Sequence, residues 1–226
     1  MNHKALISGV LLYILIVGVF VSFRHYNFQT QGWDMGIFAQ SLWNTSEGRV
    51  MQNTLEDVPN HFGVHFSPGL LLLIPGYMVF ESPYYLLWIQ TLALALGALP
   101  LYFLSKKVLD DERISLLIAF AYLLFPSLHW VNIFDFHEIA FFVPLFIAAV
   151  YFIEVQRFWL SVLFLLLAAS FKEDAALIIF FAGLFMLVKY FFRSDGDKNK
   201  SPLFPGTFIL LFSLLYSVIT LKFLMP

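Results

Sequence analysis

Four short stretches of an otherwise apolar chain hold the side chains able to take up protons, ligate metals or pair with anions. The first, Gly32-Trp33-Asp34-Met35-Gly36-Ile37-Phe38-Ala39-Gln40, sets a lone carboxylate between glycines that permit close backbone approach, with an aromatic neighbour able to pack on a ring or a headgroup. Its plain alternative is an N-cap for a short helix running through Trp43. The second is His61-Phe62-Gly63-Val64-His65-Phe66-Ser67-Pro68. Two imidazoles four residues apart share one face of a helix and suit a metal ion, but Gly63 and Pro68 work against a regular helix, and interfacial histidines also serve as ordinary hydrogen-bonding groups. The third and fourth are the turns Asn132-Ile133-Phe134-Asp135-Phe136-His137-Glu138 and Phe171-Lys172-Glu173-Asp174. Their charges either cap the following helices, through Glu138 or Asp174, or join the other motifs in a constellation of the kind from which general bases and metal sites are built.

Membrane-spanning helices must position these motifs. Of 226 residues 60% are hydrophobic and only 12% charged, against roughly 25% charged in a soluble domain, so the chain lacks the polar surface to cover itself in water. A hydrocarbon core needs about 20 apolar residues per helix. Such runs occupy residues 5–23, 84–105, 114–132, 139–155, 158–171, 175–192 and 207–224, which predicts an all-α integral membrane protein with seven transmembrane helices. The fifth run is short, and Lys172 beyond it can snorkel toward the headgroups. The first is too long for a signal-peptide core and no small-x-small cleavage site follows, so it is expected to stay in the protein.

The run at residues 68–80 is too short to span comfortably and is interrupted by Pro75 and Gly76. Basic residues decide its place. As an interfacial or re-entrant helix, with the amino terminus cytoplasmic, it leaves Lys4, Lys106, Lys107, Arg113, Arg157, Lys189, Arg193, Lys198 and Lys200 inside, against Arg24, Arg49, Lys172 and Lys222 outside. That obeys the positive-inside bias. As a span it would keep only Lys4, Lys172 and Lys222 inside. Residues 24–83 are therefore one long outer loop carrying an interfacial helix. Asp34, His61, His65, Asp135, His137, Glu138, Lys172, Glu173 and Asp174 then all fall outside, although only Lys and Arg fixed the orientation. The inner loops, such as residues 106–113, read as ordinary solvated turns of mixed charge.

The formal net charge of −2 and the want of a basic stripe argue against a nucleic-acid partner, and the absence of Cys removes disulfides and thiolate metal sites. The bilayer is the expected partner, with the plasma (inner) membrane as location and residues 1–226 as a single membrane domain. Residues 193–202 read as a solvated cytoplasmic linker. No internal repeat of the kind found in many transporters is visible.

With the motifs placed, the layout resembles the GT-C class of polyprenyl-phosphate-dependent glycosyltransferases: a first span, a long outer loop carrying a catalytic acid, an interfacial helix, and a seven-span module. Within that superfamily, Trp33-Asp34-Met35-Gly36-Ile37-Phe38-Ala39-Gln40-Ser41-Leu42-Trp43-Asn44, His65-Phe66-Ser67-Pro68, Leu96-Gly97-Ala98-Leu99-Pro100-Leu101-Tyr102, Asp135-Phe136-His137-Glu138 and Lys172-Glu173-Asp174-Ala175-Ala176-Leu177 are similar to a family of prokaryotic multi-pass membrane proteins, domain of unknown function 2079. The similarity covers nearly the whole chain. Asp34 departs from the paired acids common in sugar transferases of this class. The chain is also shorter than the family's usual members, as a short member or a piece lacking carboxy-terminal spans would be.

The resemblance implies transfer of a sugar from a polyprenyl-phosphate donor to an acceptor at the outer membrane face. Asp34 would be the base, and Lys172, with Arg24 or a divalent ion on Asp135, His137 and Glu138, would offset the phosphate charge. His61, His65, Glu173 and Asp174 complete the candidate set. Two rival readings stand beside it: a transporter or channel, which predicts titratable residues near mid-bilayer, and a noncatalytic protein that binds lipid or a protein partner on an inherited fold.

Overall fold

The computed structural model describes residues 2–192 and 201–225. The described residues are 78% helical and contain no strand, in keeping with the all-α expectation. Helix α1 (Asn2–Tyr26) leads into α2 (Gly32–Ser46), whose first turn carries Asp34; the residue before it, Gln31, makes no side-chain cap, and Asp34 is not the N-cap. A 3₁₀ turn at His61–Gly63 follows. The segment expected to lie in the interface is a 3₁₀ turn, Pro68–Leu73, running into the short helix α3 (Ile74–Val79).

Helix α4 (Pro83–Leu96) starts on Ser82, whose hydroxyl accepts from the Tyr84 N–H, and continues past Gly97 as α5 (Ala98–Leu109). Lys106 and Lys107 in its last turn complement the carbonyl end of the dipole, and Asp110, in the left-handed region at φ 53°, ends the helix. Asp111 then caps α6 (Glu112–Leu123), its carboxylate accepting from Arg113 and Ile114. The apolar run expected as one span at 114–132 is divided here into two helical segments, which together, as Glu112–Ile133, are still long and apolar enough to cross a membrane. Phe125 is extended before Pro126, which opens α7 (Pro126–Ile133), because a residue preceding proline is pushed out of helical geometry. The remaining helices are α8 (Ile139–Glu154), α9 (Phe158–Ala169), α10 (Ala175–Phe191) and α11 (Leu203–Ile219). The linker expected at 193–202 lies, but for its last two residues, outside the described ones.

Among the described residues four helices are long and apolar enough to cross a membrane: His3–Tyr26, Pro83–Leu109, Glu112–Ile133 and Leu203–Leu224. The runs expected to span at 139–155, 158–171 and 175–192 form shorter apolar helices. Much of the long helices faces outward; only 17% of the most apolar window of Leu203–Leu224 is buried, with Leu211, Leu214, Leu215 and Val218 exposed. Apolar faces of that extent are stable in a bilayer and not in water.

Buried residues form two principal clusters. In one, Leu6, Val10, Tyr13, Val17 and Val21 make a stripe on α1 that packs with Leu86, Leu87 and Leu94 of α4, Ala119 and Leu123 of α6, and Phe38 and Leu42 of α2. In the other, Ile153 of α8, Val162 and Leu165 of α9, Ile179 and Met186 of α10 and Ile209 of α11 meet. Helices α10 and α11 approach closely where a Cβ on Gly183 would lie 3.0 Å from the Gly206 carbonyl oxygen, the small-residue packing typical of membrane helices. Within the first cluster Phe141, at the start of α8, stacks on Phe171 with ring centroids 4.7 Å apart. Both rings line an apolar groove of about 390 Å³, together with Ala93, Leu96, Pro100, Pro144, Phe164 and Leu167.

Candidate functional site

The polar motifs gather at one end of the bundle, and a buried clamp builds the first part of the site. Gln90, wholly buried on α4, donates from Nε2 to the Asp135 carbonyl at 2.7 Å and accepts at Oε1 from the His137 N–H at 2.7 Å. Thr91 donates to the Asn132 side chain at 2.9 Å, and Asn132 donates to the Tyr13 hydroxyl at 3.3 Å. This network fixes the turn between α7 and α8 against α4 and α1. Asp135 bends the turn at φ 54°, a left-handed conformation that Asp tolerates better than most residues. Its Oδ2 accepts from the Gln31 N–H at 2.8 Å, tying the turn to the start of α2. Arg24 donates to the carbonyls of Ile133 and Gln29, the latter at 2.9 Å. Burial pushes the Asp135 carboxyl above its ordinary range, against the pull of the Gln31 N–H and the Arg24 charge.

These ties bring Asp34 and His137 together. His137 Nε2 lies 3.9 Å from Asp34 Oδ2, and their side chains are 30% and 29% exposed, open to a ligand from outside. Phe38, one turn beyond Asp34, packs edge-on to Phe136 and His61, with centroids 5.0 and 5.1 Å away. An acid with an imidazole beside it, neither carrying other strong bonds, can accept a proton from a hydroxyl and share it.

A second group surrounds Lys172. Its Nζ donates to Glu138 Oε1 at 2.8 Å, lies 3.1 Å from His65 Nδ1 and 4.0 Å from Glu173 Oε1. His65 Nδ1 bonds Glu173 Oε1 at 2.8 Å. Glu138 is only 3% exposed, so it pairs with the ammonium instead of capping α8 as one expectation had it. The hydrogen bond to Glu173 raises the His65 pKa, although burial and Lys172 oppose it. Burial alone would raise Glu173, but the His65 bond and the Lys172 charge outweigh it and leave the carboxyl below its ordinary value. The group is anchored by the Gly69 N–H, which donates to the Ser170 carbonyl at 2.6 Å. Only glycine fits there, because a Cβ would come within 2.7 Å of Ser170 Oγ and 2.9 Å of the Phe171 ring.

Beside this group, His61 Nδ1 bonds both oxygens of Glu56, at 3.0 and 3.1 Å, and Asn53 holds Glu56 in turn through a 2.6 Å bond to Oε2. The His65 N–H donates to the His61 carbonyl, so the segment closes a helical turn despite Gly63 and sets the two rings 5.9 Å apart. Asp174 is exposed and makes no cap bond to α10.

A family described as predicted membrane protein (DUF2079) matches residues 24–226, a range that holds every carboxylate, histidine and basic side chain of this site. The chain belongs to the DUF2079 family. No curated protein and no solved structure matches it.

The DUF2079 chain thus brings Asp34, His137, Lys172, Glu138, His65 and Glu173 to one end of the bundle and leaves Asp174 outside the network. Arg24 is committed to backbone carbonyls near Asp135. The expected metal set of Asp135, His137 and Glu138 does not converge. Asp135 is bound to Gln31, Glu138 to Lys172, and His137 faces Asp34; among the described residues no three such side chains are gathered for a metal ion. Three members of the DUF2079 site, Gln90, Thr91 and Glu56, escaped sequence reasoning. Gln90 and Thr91 are adjacent polar residues within the otherwise apolar helix Pro83–Leu96, and that isolation was the available signal. Glu56 carries no such mark, lying in a loop already rich in polar residues.

Proposed function

We propose that this DUF2079 chain is a seven-span, GT-C-like protein of the plasma membrane, amino terminus cytoplasmic and first loop outside, that transfers a sugar from a polyprenyl-phosphate donor to an acceptor hydroxyl. Three apolar helices, α8, α9 and α10, would complete the spans. At 12 to 17 residues they are roughly 18–26 Å long, a mismatch that local thinning of the bilayer accommodates.

The observation that carries the reading is that neighbouring residues of one turn reach both groups, His137 lying 3.9 Å from the open Asp34 and Glu138 pairing with Lys172 at 2.8 Å, while Phe171, next to Lys172 in the chain, lines an apolar groove with Phe141. In the proposed reaction the acceptor hydroxyl gives its proton to the Asp34 carboxylate and its oxygen bonds to the anomeric carbon. The bond from that carbon to the phosphate oxygen breaks, and the electron pair leaves with the polyprenyl phosphate. Glu138 takes one N–H of Lys172, and another is free to meet the departing phosphate. His137 holds Asp34 in place and spreads the acquired proton. No step requires a metal on Asp135, His137 and Glu138, whose arrangement does not fit one.

Mass spectrometry of lipid-linked sugars and surface glycans tests the reading, in a deletion strain complemented with wild type or Asp34→Asn at equal membrane abundance. The expected result is accumulation of one polyprenyl-linked sugar and loss of that sugar from a glycan, both reversed by wild type alone. Full restoration by Asp34→Asn removes Asp34 as base and favours a binding or transport role.

A further inference from the structure

The two histidines of the outer loop are arranged for a purpose that the sugar-transfer reading leaves unused. His61 is 1% exposed, yet its Nε2 has no hydrogen-bond partner among the described residues. A buried polar nitrogen left unsatisfied is costly, and one in a native site calls for a missing partner. Its other nitrogen is fully spent. Nδ1 faces the Glu56 carboxylate, which Asn53 orients, so a neutral ring carries its proton there and turns a bare Nε2 lone pair away from Glu56. His65 repeats the pattern one turn later, with Nδ1 on the Glu173 carboxylate. Carboxylate behind Nδ1 and an open Nε2 in front is the outer-shell arrangement of metal-ligating histidines.

The spacing agrees. Two Nε2 atoms at about 2.0–2.1 Å from one ion put each ring centroid roughly 3.2 Å from it, and ligand angles of about 110–130° then separate the centroids by about 5.2–5.8 Å. The observed separation is 5.9 Å, with the planes 60° apart. His65 is half-exposed on a short turn, and a small rotation of its ring about the bond to Glu173 closes the remaining tenths of an ångström. The charges in contact with the two rings and their partners also sum in favour of a cation: the carboxylates of Glu56, Glu173 and Glu138 stand against the single Lys172 ammonium, which lies 3.1 Å from His65 Nδ1.

We propose that His61 and His65 bind one divalent transition-metal cation of the zinc type through their Nε2 atoms, with Glu56 and Glu173 as the orienting carboxylates. Two imidazoles select such an ion over Mg²⁺ or Ca²⁺, which prefer oxygen ligands. Because no third acid or imidazole of the described chain joins them, the remaining positions go to water or to oxygens of a ligand. An ion so placed supplies the positive charge that an anionic ligand lacks in this carboxylate-rich end. The inference goes beyond the sugar-transfer reading and stands without it.

The experiment uses the full chain in detergent, stripped with a chelator and titrated with Co²⁺ alone, read by ligand-field absorption, with Zn²⁺ competition and elemental analysis for stoichiometry. One ion per chain is expected. His61→Gln and His65→Gln should each abolish the Co²⁺ spectrum, Glu56→Gln should weaken binding about 10–100-fold, and His137→Gln should leave it unchanged. Thermal unfolding of the stripped variants establishes that they are folded, and the near-isosteric Glu56→Gln change spares the ring itself. No stoichiometric ion, or undiminished binding by His61→Gln, overturns the proposal, as does loss of binding in His137→Gln alone. Since no sugar donor or acceptor enters the assay, its failure and that of the transferase reading are told apart.

Discussion

Around Asp34 and His137 the side chains are nearly a third exposed and meet only across 3.9 Å, whereas around Lys172 the carboxylates are buried and the charged contacts close to 2.8 Å. The first region is held in place through its backbone, by Gln90 on the turn and by Asp135 on the start of α2, so its functional atoms stay free. The second is held through its functional atoms, so Lys172, Glu138, His65 and Glu173 carry structure as well as charge. A reactive pair and an electrostatic floor thus sit side by side, and substitutions should separate them. Asp34→Asn should lower sugar transfer by about 10²–10⁴-fold, the usual worth of a positioned base, while membrane abundance and unfolding temperature stay near wild type. A comparable loss of folded protein in Asp34→Asn would erase the contrast.

Lys172 should behave in the opposite way. Lys172→Met strands the buried Glu138 carboxylate, and removing one partner of a buried ion pair costs about 3–5 kcal/mol. The double variant Lys172→Met with Glu138→Met should regain most of that stability, because apolar replacement of both partners is often near neutral. Transfer should remain absent in the double variant, which has lost the phosphate's counter-charge. Denaturant unfolding of the two proteins in detergent, beside the glycan assay, reads both quantities. Recovery of activity along with stability would reduce Lys172 to a purely structural residue.

The backbone clamp gives a third, smaller effect. Gln90→Leu leaves the Asp135 carbonyl and the His137 N–H unpaired in the protein interior, at about 1–3 kcal/mol for each group left unsatisfied. The turn at residues 134–138 should become sensitive to proteases added from the outer side, and transfer should fall through kcat as His137 loses its station. Proteolytic protection equal to wild type would show that the turn holds itself.

Apolar runs and basic-residue bias made the helices and the common face of the motifs legible, because burial in lipid needs long stretches of one chemistry and leaves a strong trace. The break at Phe125 was also written, in Pro126, but a hydropathy run passes over it. The pairing within the site was not legible. Asp135, His137 and Glu138 stand within four residues and invite a shared metal, yet the left-handed bend at Asp135 turns them to three different partners. That choice depends on Gln31, Asp34 and Lys172, which arrive from distant parts of the chain. Glu56 was invisible for the same reason, since its role exists only once the loop has folded back on His61.

The smallest effect distinguishes the regions by pH. His65 titrates above its usual 6.5 and Glu173 below its usual 4.5, each because the other is charged beside it, with Lys172 opposing the histidine's proton and Glu138 favouring it. The histidine's share of the stability is complete below about pH 6.5 and fades as pH rises through its raised folded value. The glutamate's share is complete above about pH 4.5 and fades as pH falls through its lowered folded value. The bond between the His61–His65 turn and the turn before α10 is therefore strongest in the interval between, and His65, half-exposed, contributes only modestly to it. Thermal unfolding of the stripped protein should drift downward as pH rises from about 6.5 through the raised folded value of His65. His65→Gln should flatten that drift, because it removes the imidazole that bonds Glu173. An unchanged drift in His65→Gln would mean that the electrostatic floor rests on Lys172 and Glu138 alone, and that His65 is held there for its open nitrogen.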